Sequence, residues 1–486
     1  MKRELGAIVA LAGIAFVRVL VLASALPFFH VNDEHQQVDA IRRYAEGQLP
    51  GPQLKGLHGA VADWAMRWGT FEYLTPEPAI PPPFARRGLP PDDELLQQAF
   101  RRYTSVAGTE FDSPPIYYAV AGAWYRLGEA LGLRDLALLY WLRWLDAPAL
   151  ALLVVGSHLL LRRVYPAGSL ARLGVPALIA FFPADILYAA SVDAFSPLAG
   201  GIAFAALVVL AEQPRARVAV WAAGGLATGA AFLTKYTNAI YLALGAAVSA
   251  TALRWGADAR RLAAFAAAAL LPAALWLARN LVVLGDLTGT ARKVEVLQWS
   301  RRPLAAWPEH PLFTPGGLWH FATQLPVLFW RGELPWHGVP MAHAGLDVLY
   351  AASSLAFAAL VAWSLARHRG RPTERRVEAL ALGAVLGAAA TLAALSVYLD
   401  FATWGTPTRD DPFFVHGRLV SGVLLPFAVV WVRGLERACL ALPGRAAARA
   451  PAWVLAAWIA LVGASEIALN APVFASAWNW YHAGGG

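Results

Sequence analysis

The chain has 486 residues, 58% hydrophobic and only 15% charged, with a mean hydropathy of +0.48. That balance excludes an ordinary water-soluble globular domain. A net charge of +8 would suggest nucleic acid in a soluble protein. Here, however, the arginines fall in short clusters between apolar runs, which fits the cytoplasmic leaflet of a membrane and no nucleic-acid partner. A single cysteine, Cys439, excludes an intramolecular disulfide and any multi-thiolate zinc site.

The first apolar run follows Met1-Lys2-Arg3 and continues to about Leu26. Its length, and the lack of a small-x-small cleavage site before Pro27, favour a retained helix over a cleaved leader. Arginine clusters then recur at Arg162-Arg163, at Arg215 and Arg217, and at Arg254, Arg260 and Arg261. Two more run from Arg367 to Arg376 and from Arg433 to Arg449. Successive clusters lie about two membrane lengths apart, as expected if each marks a return to the cytoplasm. Placing all of them inside gives an all-α, polytopic fold of about eleven spans. The spans are 6–26, 139–161, 170–190, 197–212, 217–233, 238–254, 262–284, 346–366, 377–399, 418–434 and 452–471. The N-terminus is then cytoplasmic, the C-terminus outside, and residues 1–486 form a single membrane domain.

One apolar stretch departs from this scheme. Ile116 to Leu133 carries Arg126 and Glu129 and is followed by no basic cluster. A crossing there would invert every later loop, so it reads as an amphipathic helix at the outer interface. Two segments remain outside, 28–138 with juxtamembrane helices and 285–345. In the first, Val38 to Tyr44 and Glu94 to Tyr103 are amphipathic, and prolines from Pro76 to Pro91 forbid one continuous helix. The second carries Trp319, Trp330 and Trp336, suited to a half-wet interface.

Ionisable residues at membrane boundaries are costly, which makes them candidates for function. On the outer side these are Asp33-Glu34 after the first span, Asp112 before the interfacial helix, and Asp193 in the turn Ser191-Val192-Asp193-Ala194. A partly desolvated carboxylate there can take a proton from a hydroxyl or amine, or hold a metal. The plain alternative for Asp33 is an N-cap. Four cations share that side against the positive-inside bias: Lys235, Arg279, Arg418 and Arg143. Such a set suits a phosphorylated lipid head group, snorkelling being the alternative for any one of them. Glu34 and His35 are the only weak candidates for a divalent metal, because no HExxH or similar pair exists. No phosphate-binding glycine loop is present either.

In order along the chain, several short elements form a pattern. They are Asn32-Asp33-Glu34-His35 with Tyr44-Ala45-Glu46-Gly47, Asp112-Ser113-Pro114-Pro115-Ile116-Tyr117-Tyr118, and Ser191-Val192-Asp193-Ala194. Leu233-Thr234-Lys235, Arg279-Asn280 with Gly285-Asp286, and His416-Gly417-Arg418 follow. Together they resemble the GT-C superfamily of membrane glycosyltransferases, in the bacterial group near family 39 that holds protein mannosyltransferase and lipid A aminoarabinose transferase relatives. Three positions depart from that pattern. His416 replaces the usual Gln, Leu419 the usual Tyr, and Asp112-Ser113 stands where Glu/Asp-His is common.

The resemblance implies an inverting-type glycosyltransferase of the bacterial cytoplasmic membrane, working at its outer face in building the cell envelope. Its donor would be a sugar on a polyprenyl phosphate, its acceptor an envelope glycan, a lipid or a protein. Asp33 would be the general base, Glu34 would orient it or the acceptor, and Asp193 or Asp112 would position the acceptor or stabilise positive charge developing on the sugar ring. Lys235, Arg279, Arg418 and Arg143 would hold the donor phosphate. Three other functions are weighed beside it: a transporter or flippase of lipid-linked glycan, a non-catalytic membrane scaffold, and an oligosaccharide polymerase or ligase using a polyprenyl diphosphate. A flippase is disfavoured because the polar residues gather at one boundary and no repeat divides the chain.

Overall fold

The computed structural model describes residues 2–29, 33–52, 56–69, 89–90, 92–94, 97, 108–403, 405–440 and 446–475. The stretch from Glu94 to Tyr103 and the prolines between Pro76 and Pro91 lie largely outside the described residues. The protein is a polytopic helical membrane protein. Among the described residues nine helices are long and apolar enough to cross a bilayer, and two shorter apolar helices, Ala171–Ala180 and Val218–Thr234, join them. These correspond one for one with the spans expected from hydropathy. Extended pairing among the described residues is confined to two two-residue ribbons, Ser300–Arg301 with Leu399–Asp400 and Pro335–Trp336 with Val339–Pro340, and an isolated bridge between Phe28 and Gly69.

Numbered over the described residues, α1 (Lys2–Ala25) leads into α2 (Glu34–Ala45) and α3 (Gly59–Trp68). After a short turn at Thr109–Asp112 come α4 (Pro115–Ala130), α5 (Asp135–Arg143) and α6 (Asp146–Val164). The bundle continues through α7 (Ala171–Ala180), α8 (Val192–Glu212), α9 (Val218–Thr234), α10 (Ala239–Arg254) and α11 (Ala259–Leu284). Next are α12 (Ala291–Val296), α13 (Pro315–Arg331), α14 (Ala344–Ala366) and α15 (Pro372–Tyr398). The last two are α16 (Leu424–Leu440) and α17 (Ala446–Ala475).

Three expected spans are not single straight helices. The span at 139–161 is divided between α5 and α6, where Asp146 and Pro148 open a new first turn. The span at 170–190 is helical only to Ala180, because Pro183 cannot continue it and residues 181–190 run on as a buried irregular segment. Arg18, in the middle of α1, donates to the carbonyls of Ala180 and Phe182 at 3.2 and 2.9 Å, occupying acceptors that the interrupted helix leaves open. The same guanidinium pairs with Glu466 of α17 at 2.6 Å, and the Tyr188 hydroxyl also donates to Glu466. The span at 418–434 begins as a tight turn over Gly417–Val423 before α16 takes over.

The ends of the spans sort into two poles. At one, Arg172 pairs with Glu4 at 2.7 Å, and Arg261 donates to the carbonyl of Ala216 at 2.7 Å. Arg433 joins Glu374 and Glu378 there, at 3.1 and 2.7 Å. The arginine-bearing turns therefore meet, as alternation in the sequence requires. At the other pole α4 runs along α2. The Tyr118 hydroxyl donates to Gln37 at 2.7 Å near one end of α4, and Arg126 donates to the Ala45 carbonyl at 2.6 Å near the other. Between them Gly122 lies against the backbone of Ile41 and Ala45, so close that a Cβ would sit 3.0 Å from the Ala45 nitrogen. Trp124 and Trp141 stack at 4.0 Å and fasten α4 to α5. Bound to α2 along its length, α4 stays at this pole.

Candidate active site

Asp193 owes its position to a helix start. Ser191 caps α8, its hydroxyl accepting from the Asp193 N–H at 3.1 Å, and the carboxylate stands in the first turn where the helix dipole favours it. Lys235 occupies the extended corner between α9 and α10. Its ammonium donates to Asp193 and, at 2.9 Å, to the carbonyl of Arg418. The Arg418 guanidinium reaches Asp193 at 3.3 Å and Glu333 at 3.4 Å. Close packing beneath makes this convergence possible. Gly422 approaches Asn238 so tightly that a Cβ would fall 2.0 Å from its Oδ1, and Tyr241 donates to the Gly422 carbonyl at 2.7 Å. Burial lowers the Lys235 ammonium from its ordinary range, with Asp193 opposing the shift.

Glu333 is held from a different direction. Asp185, in the irregular segment after α7, accepts from the backbone N–H groups of Glu333 and Leu334 at 2.8 and 2.7 Å. Gly332 takes φ +84 against that carboxylate, and a Cβ there would meet Asp185 Oδ1 at 1.9 Å. Burial raises the Glu333 carboxyl and the Arg418 charge opposes it. His416 lies 3.9 Å from Glu333, its imidazole pushed down to about 3 by burial and by Arg418.

Asp33 precedes α2 in the left-handed region, at φ 66 and ψ 17. Aspartate tolerates that conformation better than most residues, though it remains uncommon. The side chain makes no capping bond, so the simple N-cap role is not what the structure has. The half-buried carboxylate has no hydrogen bond or ion pair among the described residues. Its charge nevertheless acts on Lys293 and on Arg418. Lys293 pairs with Glu110, whose other oxygen accepts from Gln37 at 3.1 Å and Ser113 at 3.1 Å. Burial acts to raise the Glu110 carboxyl, but Lys293 and the Ser113 hydroxyl outweigh it and hold it low.

Asp112 lies beside this group. Arg292 pairs with it at 3.0 Å and also donates to the Gly51 carbonyl at 2.7 Å. Burial pushes the Asp112 carboxyl up to about 6, with Arg292 and Arg279 opposing. Arg279 itself donates to the carbonyl of Pro50 and, at 3.1 Å, to Asn280. It borders the site through the charge of Asp112 and ties α11 to the first external segment.

Glu34 and Arg143 are placed elsewhere. They form a buried pair at 2.7 Å, with side-chain exposures of 1% and 0%. Arg143 also donates to the carbonyls of Ala23, Leu26 and Pro27, while Glu34 accepts from the N–H groups of Phe29 and Ala190. With two donors on each of its oxygens, Glu34 has no vacancy for a metal alongside His35. Among the described residues no three His, Cys, Asp or Glu side chains gather as a metal site would require.

The structure thus brings Asp33, Asp193, Lys235 and Arg418 to one pole, with Asp112 and Arg279 at its border and Glu34 and Arg143 packed beneath. Sequence reading missed Glu333, Lys293, Arg292 and Asp185. Arg292-Lys293 carried the same signal that singled out Lys235, a cation outside against the positive-inside bias. Asp185 was absorbed into an expected span, although a lone acid there was itself a signal.

No family model matches the chain, and no curated protein matches it. Among solved structures, it is similar to the Archaeoglobus fulgidus oligosaccharyltransferase in complex with Zn and sulfate, with a TM-score of 0.43, 12% identity, and coverage of 94% of this chain and 52% of that one. The apo form of the same archaeal enzyme gives a TM-score of 0.39 and 13% identity over 96% of this chain and 56% of that one. The chain spans about half the length of these structures.

Proposed function

We propose that the protein is a membrane glycosyltransferase of the GT-C type. It transfers a sugar from a polyprenyl-phosphate donor to a hydroxyl or amine acceptor at the outer face of a bacterial cytoplasmic membrane. The whole chain acts as one membrane domain, with its arginine-rich pole in the cytoplasm and its N-terminus on that side. The observation that carries this reading is Asp33, a carboxylate without a partner among the described residues and within electrostatic reach of Arg418 and Lys293. A free base beside fixed cations suits a reaction that removes a proton and releases an anion.

In this reading the acceptor oxygen or nitrogen attacks the anomeric carbon from the face opposite the phosphate, and Asp33 takes its proton. The bond from the anomeric carbon to the phosphate oxygen breaks, and its electron pair leaves with the phosphate, inverting the centre. Lys235 and Arg418 stabilise that developing charge, which is where a preorganised cation contributes most. Asp193 holds both cations in place and stabilises positive charge on the ring. Glu34 and Arg143 brace the base of the loop that bears Asp33, a positioning role in place of direct contact with substrate.

The test is Asp33→Asn in membranes supplied with a radiolabelled polyprenyl-phosphate sugar. Transfer to endogenous acceptor should fall at least about 100-fold at unchanged protein level, the scale of a lost general base. Undiminished transfer overturns the assignment. Movement of the lipid across the bilayer with no transfer by the unaltered protein would make it a flippase.

A further inference from the structure

The cations at the site are already paired: Lys235 with Asp193, Arg418 with Asp193 and Glu333, Lys293 with Glu110. An incoming phosphate gains most from a cation that can leave its carboxylate. The three differ in how firmly they are held. Lys235 is 11% exposed and is tied to both Asp193 and a backbone carbonyl. Arg418 lies in a packed turn whose backbone is fastened to Thr237 at 2.5 Å. Lys293 is 36% exposed and sits on α12, a helix with no buried residue.

Glu110 is the less mobile member of its pair. Its Oε2 accepts from Gln37 and Ser113, each at 3.1 Å, so donors from α2 and from its own turn both hold one oxygen. Among the described residues only Lys293 donates to Oε1. Glu110 therefore stays solvated by protein if Lys293 departs, and the cost of opening this pair is smaller than for a carboxylate left bare. Lys293 also lies within electrostatic reach of Asp33 and Arg418.

From this difference we infer that Lys293 is an exchangeable anion-binding residue of the site, which releases Glu110 and takes up the lipid phosphate. The inference rests on the glycosyltransferase reading above and adds a residue that the sequence pattern does not mark. Glu110 then acts as the resident anion that occupies Lys293 between turnovers. Its charge competes with phosphate.

That competition has a sign that a purely structural latch lacks. The experiment measures binding of farnesyl phosphate, a short isoprenoid phosphate monoester, to the full chain in detergent, with farnesol and inorganic phosphate as parallel probes. Lys293→Gln should weaken farnesyl phosphate about tenfold, the scale of one charge-assisted bond, while Lys293→Arg stays within about threefold. Glu110→Gln should tighten it. Farnesol binding should be unchanged by all three. Weakening by both Glu110→Gln and Lys293→Gln would make the pair a latch and overturn the exchange. Loss on Arg418→Gln with no effect of Lys293→Gln would sink this inference and leave the donor reading standing. A native protein that binds farnesyl phosphate no better than farnesol sinks both, and equal affinity for inorganic phosphate removes the lipid from the proposal.

Discussion

Arg143 donates through Nε and Nη2 to the two oxygens of Glu34, each at 2.7 Å, in a place neither side chain shares with solvent. A bidentate fork of this kind is directional as well as strong. Its remaining donors close the end of α1 through the carbonyls of Ala23 and Leu26. Removing one member leaves a buried charge unpaired, at a cost of about 3–5 kcal/mol. Arg143→Ala should therefore lower the thermal midpoint of the detergent-solubilised protein sharply and reduce its yield. An unchanged midpoint would show that the pair contributes no stability.

Lys235 offers a test of the donor side. Lys235→Ala removes the point charge but leaves Asp33 intact, so loss should appear in donor use more than in acceptor use. A fall in kcat of about 100-fold is the scale of one lost stabiliser of transition-state charge. Steady-state kinetics with each substrate varied separately would check it, and equal effects on both substrates would count against a phosphate role.

Asp112 supplies a pH signature of stability. Its folded carboxyl ionises near 6, above the unfolded value of about 4. Between those limits the folded state binds more protons than the unfolded state, so this group's contribution falls as pH rises from about 4 to about 6 and is level beyond. Asp112→Asn abolishes that dependence. Thermal midpoints of the two proteins measured from pH 4 to 7 should diverge along this window, and parallel curves would refute the shift.

Gly332 joins the site to the broken span behind it. Alanine there must both adopt φ +84 and displace Asp185, whose Oδ1 would lie 1.9 Å from the new Cβ. Strain of about 1–3 kcal/mol is expected from the backbone alone. The larger effect should be on activity, because Asp185 holds the backbone of Glu333 and Glu333 holds Arg418. Gly332→Ala should lose transfer while Gly316→Ala, with open space at its Cβ, retains it. Equal activity in the two would dissociate Asp185 from the site.

Much of the architecture was legible because its causes are local. Apolar runs of membrane length and the recurrence of arginines set the spans and gathered their ends into two poles. Ile116 to Leu133 carried its own exception in Arg126 and Glu129, and α4 indeed stays beside α2. Asp193, Lys235 and Arg418 stood out as charges at span ends, and the structure joins them directly. Breaks inside spans were less visible, because residues 181–190 are largely apolar and only Pro183 and Asp185 hint at the interruption.

By itself, then, the sequence determined that this is a helical membrane protein with its unusual charges at one pole, since hydropathy and charge act over one turn or one span. Only the tertiary structure decided which charges work together. Lys293 and Glu110 are 183 positions apart, and Arg18 and Glu466 are 448 apart. Folding buries Glu34 and Arg143 against each other, whereas the carboxylate of Asp33, next to Glu34 in sequence, has no such partner among the described residues. A charge's role is set by what lies within a few ångströms of it in a low-dielectric interior, and that neighbourhood is assembled from distant segments of chain.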